Sequence, residues 1–187
     1  MNKKQIIVMS APSCSGKNSI YEVIHAIYPH ITQTVSDTTR KIRPGETAGV
    51  DYNYITENEF LDNIKNGAYA EYNLYDNNYY GTPVSQVEKL VESGKPFVLI
   101  IDVNGALKIK KLYAEKVLMI FIMPPSMEEL KNRIIARGTN TPEEIERRIN
   151  TAQTEIEQSE SYDFCIINDD LSKASEQVIK IIENEIL

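Results

Sequence analysis

The sequence predicts an α/β fold with a parallel sheet at its core and helices on both faces. Short apolar runs at 6–9, 97–101, 117–123 and 164–167 have the length and composition of buried strands, and segments with helical apolar spacing separate them. Region 35–82 interrupts this alternation with two half-polar runs and seven of the chain's eleven tyrosines, so a small β-rich lobe is inserted there. Between the third and fourth apolar runs, two helices that meet near Gly138 carry Arg133, Arg137, Arg147 and Arg148.

Size and charge narrow the function classes. With 187 residues, 42% hydrophobic and 25% charged, the chain can bury one core with one or two small lobes and lacks the composition of a disordered polymer. Its formal net charge of −7 argues against broad binding to DNA or RNA, so an anionic ligand must meet a local cluster of Arg and Lys. Cys14 and Cys165 are too few for a disulfide scaffold. No run approaches the ~18 apolar residues of a membrane span, and residues 1–5 lack a signal-peptide core. A cytoplasmic protein is expected, with no membrane and no nucleic-acid polymer as partner.

The first apolar run leads into a loop of small residues, Ser10, Ala11, Pro12, Ser13, Cys14, Ser15 and Gly16. Ile20, Val23, Ile24 and Ile27 then repeat at helical spacing, so a helix starts at Gly16 or Lys17. Backbone N–H groups of such a loop cradle phosphate at the helix N-terminus, and Lys17 reaches toward it. The phosphate-loop form G-x-x-x-x-G-K-[ST] is met with two departures: Ala11 stands for the first Gly and Asn18 for the hydroxyl residue, with Ser19 next. A lysine at a helix start opposes the dipole unless an anion is bound, which favours a phosphate loop over a plain strand–turn–helix. Cys14 is either a small loop filler or a thiol activated by the helix N-terminus.

Arg40, Lys41 and Arg43 precede Pro44-Gly45, so this basic cluster lies on a loop, suited to bidentate phosphate binding or simply solvated. Residues 51–55 alternate as a half-exposed strand, and Thr56 with Glu59 has capping-box spacing for a helix to about residue 65. In the next alternating strand, 69–75, Glu71 is either an acceptor for a purine edge or part of a solvated face. Residues 77–81 read as a tight turn carrying Tyr79 and Tyr80. Thr82-Pro83 reads as N-cap and first residue of a helix that Gly94 stops. The run at 97–101 ends at Asp102, which faces the same crevice as the phosphate loop, because ligands sit beyond the carboxyl ends of parallel strands. A helix follows at 104–112. Ser126 with Glu129 caps a helix bearing Arg133 and Arg137 on one face, and Thr141, Pro142 and Glu144 start a long helix bearing Arg147 and Arg148. Such a pair suits a mobile lid over phosphates, or a solvated αα-hairpin. The last strand, 164–167, is followed by Asn168, and the closing helix turns Leu171, Ala174, Val178, Ile181 and Ile182 inward.

The stretches Ser36-Asp37-Thr38-Thr39-Arg40, Arg43-Pro44-Gly45-Glu46, Gly49-Val50-Asp51-Tyr52, Asn78-Tyr79-Tyr80-Gly81-Thr82-Pro83, Pro124-Pro125-Ser126, Arg137-Gly138-Thr139 and Asn168-Asp169-Asp170 carry a resemblance in their order and spacing. Over nearly its whole length the chain resembles bacterial-type guanylate kinases. The resemblance implies a P-loop three-layer fold with a nucleotide-binding lobe at 35–82, a lid at 126–159 and a core of 1–34, 83–125 and 160–187. It implies Mg²⁺-dependent transfer of the ATP γ-phosphoryl to GMP, and to dGMP, giving ADP and GDP. By position, Arg40, Arg43, Tyr52 and Tyr80 would hold the GMP phosphate, with Glu46 and Gly81 also in the GMP site. Ser36, Glu71, Thr82 and Asp102 would read guanine. Residues 11–19 and Asn168 would meet ATP, and Asn18 or Ser19 would offer Mg²⁺ an oxygen, directly or through water. Lys17, Arg40, Arg133, Arg137 and Arg148 would carry the transfer.

Two alternatives stand beside this reading. A catalytically silent guanylate-kinase-like binding module is disfavoured by Lys17 and the lid arginines. A P-loop kinase of another phosphorylated small molecule has no use for the guanine-reading set. Within the resemblance, Cys14 replaces a usual Gly, and Ile100 stands for an Asp in the usual Leu-Asp-Ile-Asp strand end. Introducing Asn18→Ser with Ile100→Asp is therefore expected to raise the rate or tighten the Mg²⁺ dependence of initial rates. An unchanged Mg²⁺ titration at an unchanged rate counts against a role for both positions.

Overall fold

The computed structural model describes residues 4–136, 138 and 141–187. In chain order the strands are β1 (Ile6–Ser10), β2 (Thr32–Gln33), β3 (Ser36–Thr38), β4 (Tyr52–Tyr54), β5 (Tyr69–Tyr75), β6 (Asn78–Pro83), β7 (Phe97–Ile100), β8 (Val117–Met123) and β9 (Phe164–Ile167). The helices are α1 (Lys17–Ile27), α2 (Glu57–Lys65), α3 (Val84–Glu92), α4 (Val103–Tyr113), α5 (Met127–Ala136), α6 (Pro142–Glu157) and α7 (Leu171–Glu185).

The central sheet has five parallel strands in the order β2-β7-β1-β8-β9. Strand alternation divides its side chains between two cores. Ile6 and Val8 join Phe97, Leu99, Met119 and Phe121 under Val87 of α3 and Ala106 and Ile109 of α4. Ile7 and Met9 join Val98, Leu118 and Ile120 under Ile20 and Ile24 of α1 and Val178 and Ile182 of α7. With both faces covered, β1 is buried along its length, and the carboxyl ends of β1, β7, β8 and β9 open on one side. A third, smaller core of Leu130, Ile134 and Ala152 joins α5 to α6, and Cys14 packs against it.

The inserted lobe is a four-stranded sheet in the order β4-β3-β6-β5, with β3 and β4 parallel and the other pairs antiparallel. Its core is aromatic: Phe60 of α2 stacks on Tyr69 and Tyr79, with ring centroids 4.5 and 5.2 Å apart. A Cβ at Gly81 would stand 2.9 Å from the Phe60 ring, so the stack needs a glycine beneath it.

The capping boxes at Thr56–Glu59 and Thr141–Glu144 are both formed. At Ser126 only half of the box forms: its Oγ accepts from the Glu129 N–H, while the Glu129 carboxylate turns to Arg133. Other expectations are corrected. The tight turn lies at Asp76–Asn77, not 77–81; both residues adopt left-handed φ (50° and 59°), and β6 runs from Asn78. Thr82 is no N-cap, because its hydroxyl is engaged by Glu71 and α3 starts at Val84. The expected fourth buried strand, β9, is an edge strand, so only Ile166 is buried and Cys165 and Ile167 are exposed. The opposite edge, β2, is too short to leave a periodic signal. Leu171, the first residue of α7, is 42% exposed rather than inward.

Phe60→Ala is expected to lower stability by about 3–5 kcal/mol, since the cavity would open inside an aromatic stack that cannot collapse around it. Urea denaturation checks this.

Candidate active site

The crevice is built first by the turn from β1 into α1. Residues 11–16 follow the sheet's central strand, and the turn takes left-handed backbone at Cys14 (φ 70°) and Gly16 (φ 91°). The Cβ of Cys14 makes that conformation cost about 1 kcal/mol. At Gly16 a Cβ would collide with the Asn168 side-chain amide. Asn168 Nδ2 donates to the Ser15 carbonyl at 2.8 Å, and the Asn168 carbonyl accepts from Arg133 Nη2 at 3.1 Å. Asn168 thus braces the loop from the end of β9. Lys17 Nζ donates to the Ala11 carbonyl at 2.5 Å. Burial lowers the Lys17 pKa, against the pull of Glu155 and Asp102.

The facing wall belongs to the inserted lobe. Arg40 donates from Nη1 and Nη2 to the two oxygens of Glu46 at 2.7 and 2.8 Å. Glu46 also accepts from the Arg43 N–H and the Tyr54 hydroxyl, each at 2.8 Å. Burial alone would lower the Arg40 pKa, but its bonds to Glu46 and the neighbouring Tyr80 carry it above the ordinary value. Burial likewise opposes ionisation of Glu46, yet Arg40, the Arg43 N–H and Tyr54 hold it down at about 2. The Arg40 guanidinium lies 5.0 Å from the Tyr52 ring centroid, and Tyr52 meets Tyr80 edge-on at 5.9 Å.

Beside this cluster, Ser36 Oγ is 3.1 Å from Thr82 Oγ1, whose O–H donates to Glu71 Oε1 at 2.5 Å. A bulge between Tyr69 and Glu71 re-aims the strand and buries Glu71 to 4% exposure, where alternation predicted a half-exposed face. The other oxygen, Oε2, faces α4 at Gly105, where a Cβ would stand only 2.5 Å away. Burial, reinforced by the Asp102 charge, raises Glu71 to about 7 despite the Thr82 bond. Asp102 lies just past the end of β7 and caps α4, accepting from the Gly105 N–H at 3.0 Å.

One cavity of about 340 Å³ joins the two walls. Ala11, Ser13, Cys14, Ser15, Gly16, Lys17, Asn18 and Ser19 line one side; Ser36, Arg40, Arg43, Glu46, Tyr52, Glu71 and Tyr80 line the other. Ile100 and Asp102 come from the end of β7, and Arg148 from α6. Arg40 Nε and Arg148 Nε are buried without a protein partner. Five expected residues lie off this wall. Pro12 is buried in the loop, Gly81 sits under the aromatic stack, Thr82 stands behind Glu71, and Asn168 faces the loop backbone. Arg133 pairs with Glu129 at 3.0 Å and with the Asn168 carbonyl. Arg137 is outside the described residues.

Three wall residues escaped the sequence reading, Tyr75, Ile101 and Glu155. Glu155 carried a signal: it follows Arg148 by seven positions, two turns along the same helix face. Burial raises Glu155 to about 7, with Lys17 opposing the shift and Asp102 adding to it.

Fold and site together have the form of a P-loop kinase for small phosphorylated molecules. The family model for guanylate kinase matches residues 3–185. A guanylate kinase from Oceanobacillus iheyensis is 42% identical over 180 residues, covering 96% of this chain and 87% of the relative. One from Wolbachia (subsp. Brugia malayi) is 40% identical over 184 residues, covering 98% and 94%. The crystal structure of guanylate kinase from Anaplasma phagocytophilum superposes with a TM-score of 0.80 at 34% identity, covering 99% of this chain and 87% of that one. The chain belongs to the guanylate kinase family.

Because folding depresses the Glu46 pKa from 4.5 to about 2, its ionised form contributes stability above pH 4.5 that is lost as pH falls toward 2. Glu46→Gln is expected to lower the melting temperature at pH 7, with the gap to wild type closing toward pH 3. Thermal unfolding across that range checks the sign.

Proposed function

We propose that the protein transfers the γ-phosphoryl group of ATP to GMP, and to dGMP, yielding ADP and GDP or dGDP. One observation carries this reading: a single cavity is walled on one side by a phosphate loop with Lys17 and on the other by Glu71 beside an arginine–tyrosine cluster. Phosphoryl transfer needs no covalent intermediate, so positioning and charge neutralisation supply the catalysis. Lys17 and the loop amides hold the ATP phosphates. Arg40, Arg43, Tyr52 and Tyr80 hold the acceptor phosphate, with Glu46 keeping Arg40 oriented. Arg148 faces the transferring group from the lid side, and position in the family assigns Arg133 and Arg137 to the same task. Glu71 accepts from the N–H groups of the guanine edge, with Ser36, Thr82 and Asp102 around it. An adenine edge leaves that buried carboxylate unpaired, which is a strong basis for rejecting AMP.

Mg²⁺ enters this reading with ATP. Among the described residues no group of three or more His, Cys, Asp or Glu could hold a metal by itself. Asn18 and Ser19 nevertheless offer an amide and a hydroxyl oxygen on the wall, which fits an ion that keeps waters and phosphate oxygens as its main ligands. When bound, the ion neutralises charge on the β- and γ-phosphate oxygens. Segments 35–82 and 126–159 serve as closing units over a core of 1–34, 83–125 and 160–187. No described helix is long and apolar enough to cross a membrane, and neither cysteine is in a disulfide, as suits a reducing cytoplasm.

ADP formation from MgATP with GMP, dGMP, AMP or UMP tests the reaction, and turnover is expected with the guanine acceptors alone. Since Glu71 must be ionised to accept from guanine and its pKa is raised to about 7, KM for GMP should climb as pH falls below that value, approaching about tenfold per pH unit. Glu71→Gln should give a high KM without this dependence. A wild-type KM that is flat between pH 8 and 6 would sink the assignment of Glu71.

A further inference from the structure

Arg148 is held from outside its own helix. Its Nη1 donates to Ser13 Oγ in the phosphate loop at 3.1 Å, and its Nη2 donates to Asp76 Oδ2 at 2.8 Å. The second Asp76 oxygen, Oδ1, lies 3.8 Å from Arg147 Nη2. Tyr75 backs the arrangement, with its ring centroid 5.8 Å from the Arg148 guanidinium carbon. Side-chain exposure is 9% for Arg148 and 23% for Asp76, so solvent screens this pair less than a surface ion pair.

Asp76 sits at the tip of the β5–β6 hairpin, in the inserted lobe. The tip is stiff: Asp76 and Asn77 form a two-residue turn with φ 50° and 59°, and Asn78 Nδ2 donates to the Asp76 carbonyl at 2.7 Å. A rigid arm of the acceptor-binding lobe therefore grips a guanidinium carried by the lid. Without it, a long arginine stem would sample several rotamers, and Arg147 and Arg148 would present adjacent positive charges with no carboxylate between them.

We propose that Asp76 is a positioning residue for phosphoryl transfer, which orients the Arg148 guanidinium over the phosphate loop and makes that orientation depend on the placement of the acceptor lobe. The proposal rests on the reaction proposed above. Its direction is specific. Fixing Arg148 lowers the entropic cost of reaching the transition state, so the loss on removing Asp76 falls on kcat rather than on KM for GMP. The hydrogen bonds and ion pairs of Asp76 go to Asn78, Arg147 and Arg148, outside the guanine-reading set.

The test is a kinetic cycle. Asp76→Gly removes the carboxylate while suiting the left-handed turn, and Asp76→Asn keeps the turn and one acceptor oxygen. Asp76→Gly is expected to lower kcat about tenfold, with KM for GMP within about twofold of wild type, and Asp76→Asn should fall between them. In an Arg148→Lys background, whose ammonium lacks the planar fork, Asp76→Gly should change kcat by less than about twofold. Melting temperatures confirm that each variant is folded. A kcat that is unchanged or raised by Asp76→Gly, or an equal loss in both backgrounds, overturns the proposal while leaving the reaction in place. A wild type that does not phosphorylate GMP overturns the reaction and this proposal together.

Discussion

The crevice depends on the contact between Gly16 and Asn168. The loop after β1 must turn sharply enough to aim its N–H groups outward, which places Gly16 in left-handed backbone and leaves the Ser15 carbonyl to be satisfied. Asn168 does both jobs from the far side of the sheet: its amide fills the space a Cβ would need and donates to that carbonyl. Through its own carbonyl it also reaches Arg133. One residue thus links the ends of β1 and β9 to the start of α1 through its side chain and to α5 through its backbone carbonyl. A phosphate loop is a strained piece of backbone, and here the strain is contained by a residue 152 positions away from Gly16.

Three of the four carboxylates on the cavity wall divide into two kinds at neutral pH, and their partners explain why. Glu46 is saturated by a guanidinium, a backbone N–H and a hydroxyl, so it stays ionised. Glu71 is buried and Glu155 half-buried, each with fewer donors, and both are pushed to about 7. For Glu71 the sign of the linkage is unfavourable to folding: an acid whose folded pKa is raised loses stability as pH climbs from 4.5 to about 7. The lobe therefore holds a destabilising carboxylate where a base edge with paired N–H groups would satisfy it.

Much of this was legible from local pattern. The apolar runs gave the core strands because burial on both faces leaves a continuous hydrophobic signal. Thr56–Glu59 and Thr141–Glu144 gave their helix starts because capping is a contact within one turn. The loop from Ala11 to Ser19 could be placed from its composition alone. What sequence could not supply was non-local. The burial of Glu71 comes from a bulge and from Gly105 on another element. Asp76 matters because a hairpin tip reaches a lid helix, and no periodicity encodes that reach. Thr82-Pro83 misled because its local chemistry suits a cap, whereas a buried carboxylate across the hairpin claims the hydroxyl. The family resemblance supplied roles, and the geometry then separated residues that face the cavity from Asn168, Thr82 and Gly81, which shape it from behind.

Gly105 bears on how this recognition site can change over generations. It sits on a core helix, yet the space above its Cα is taken by Glu71 Oε2. Any larger residue at 105 displaces the carboxylate proposed to read guanine, although position 105 is not on the cavity wall. Drift at 105 and at 71 is therefore coupled, and a lineage altering its base preference must clear both positions in a compatible order. On the proposed reading, selectivity is held jointly by two segments of the polypeptide, and neither is free to vary alone.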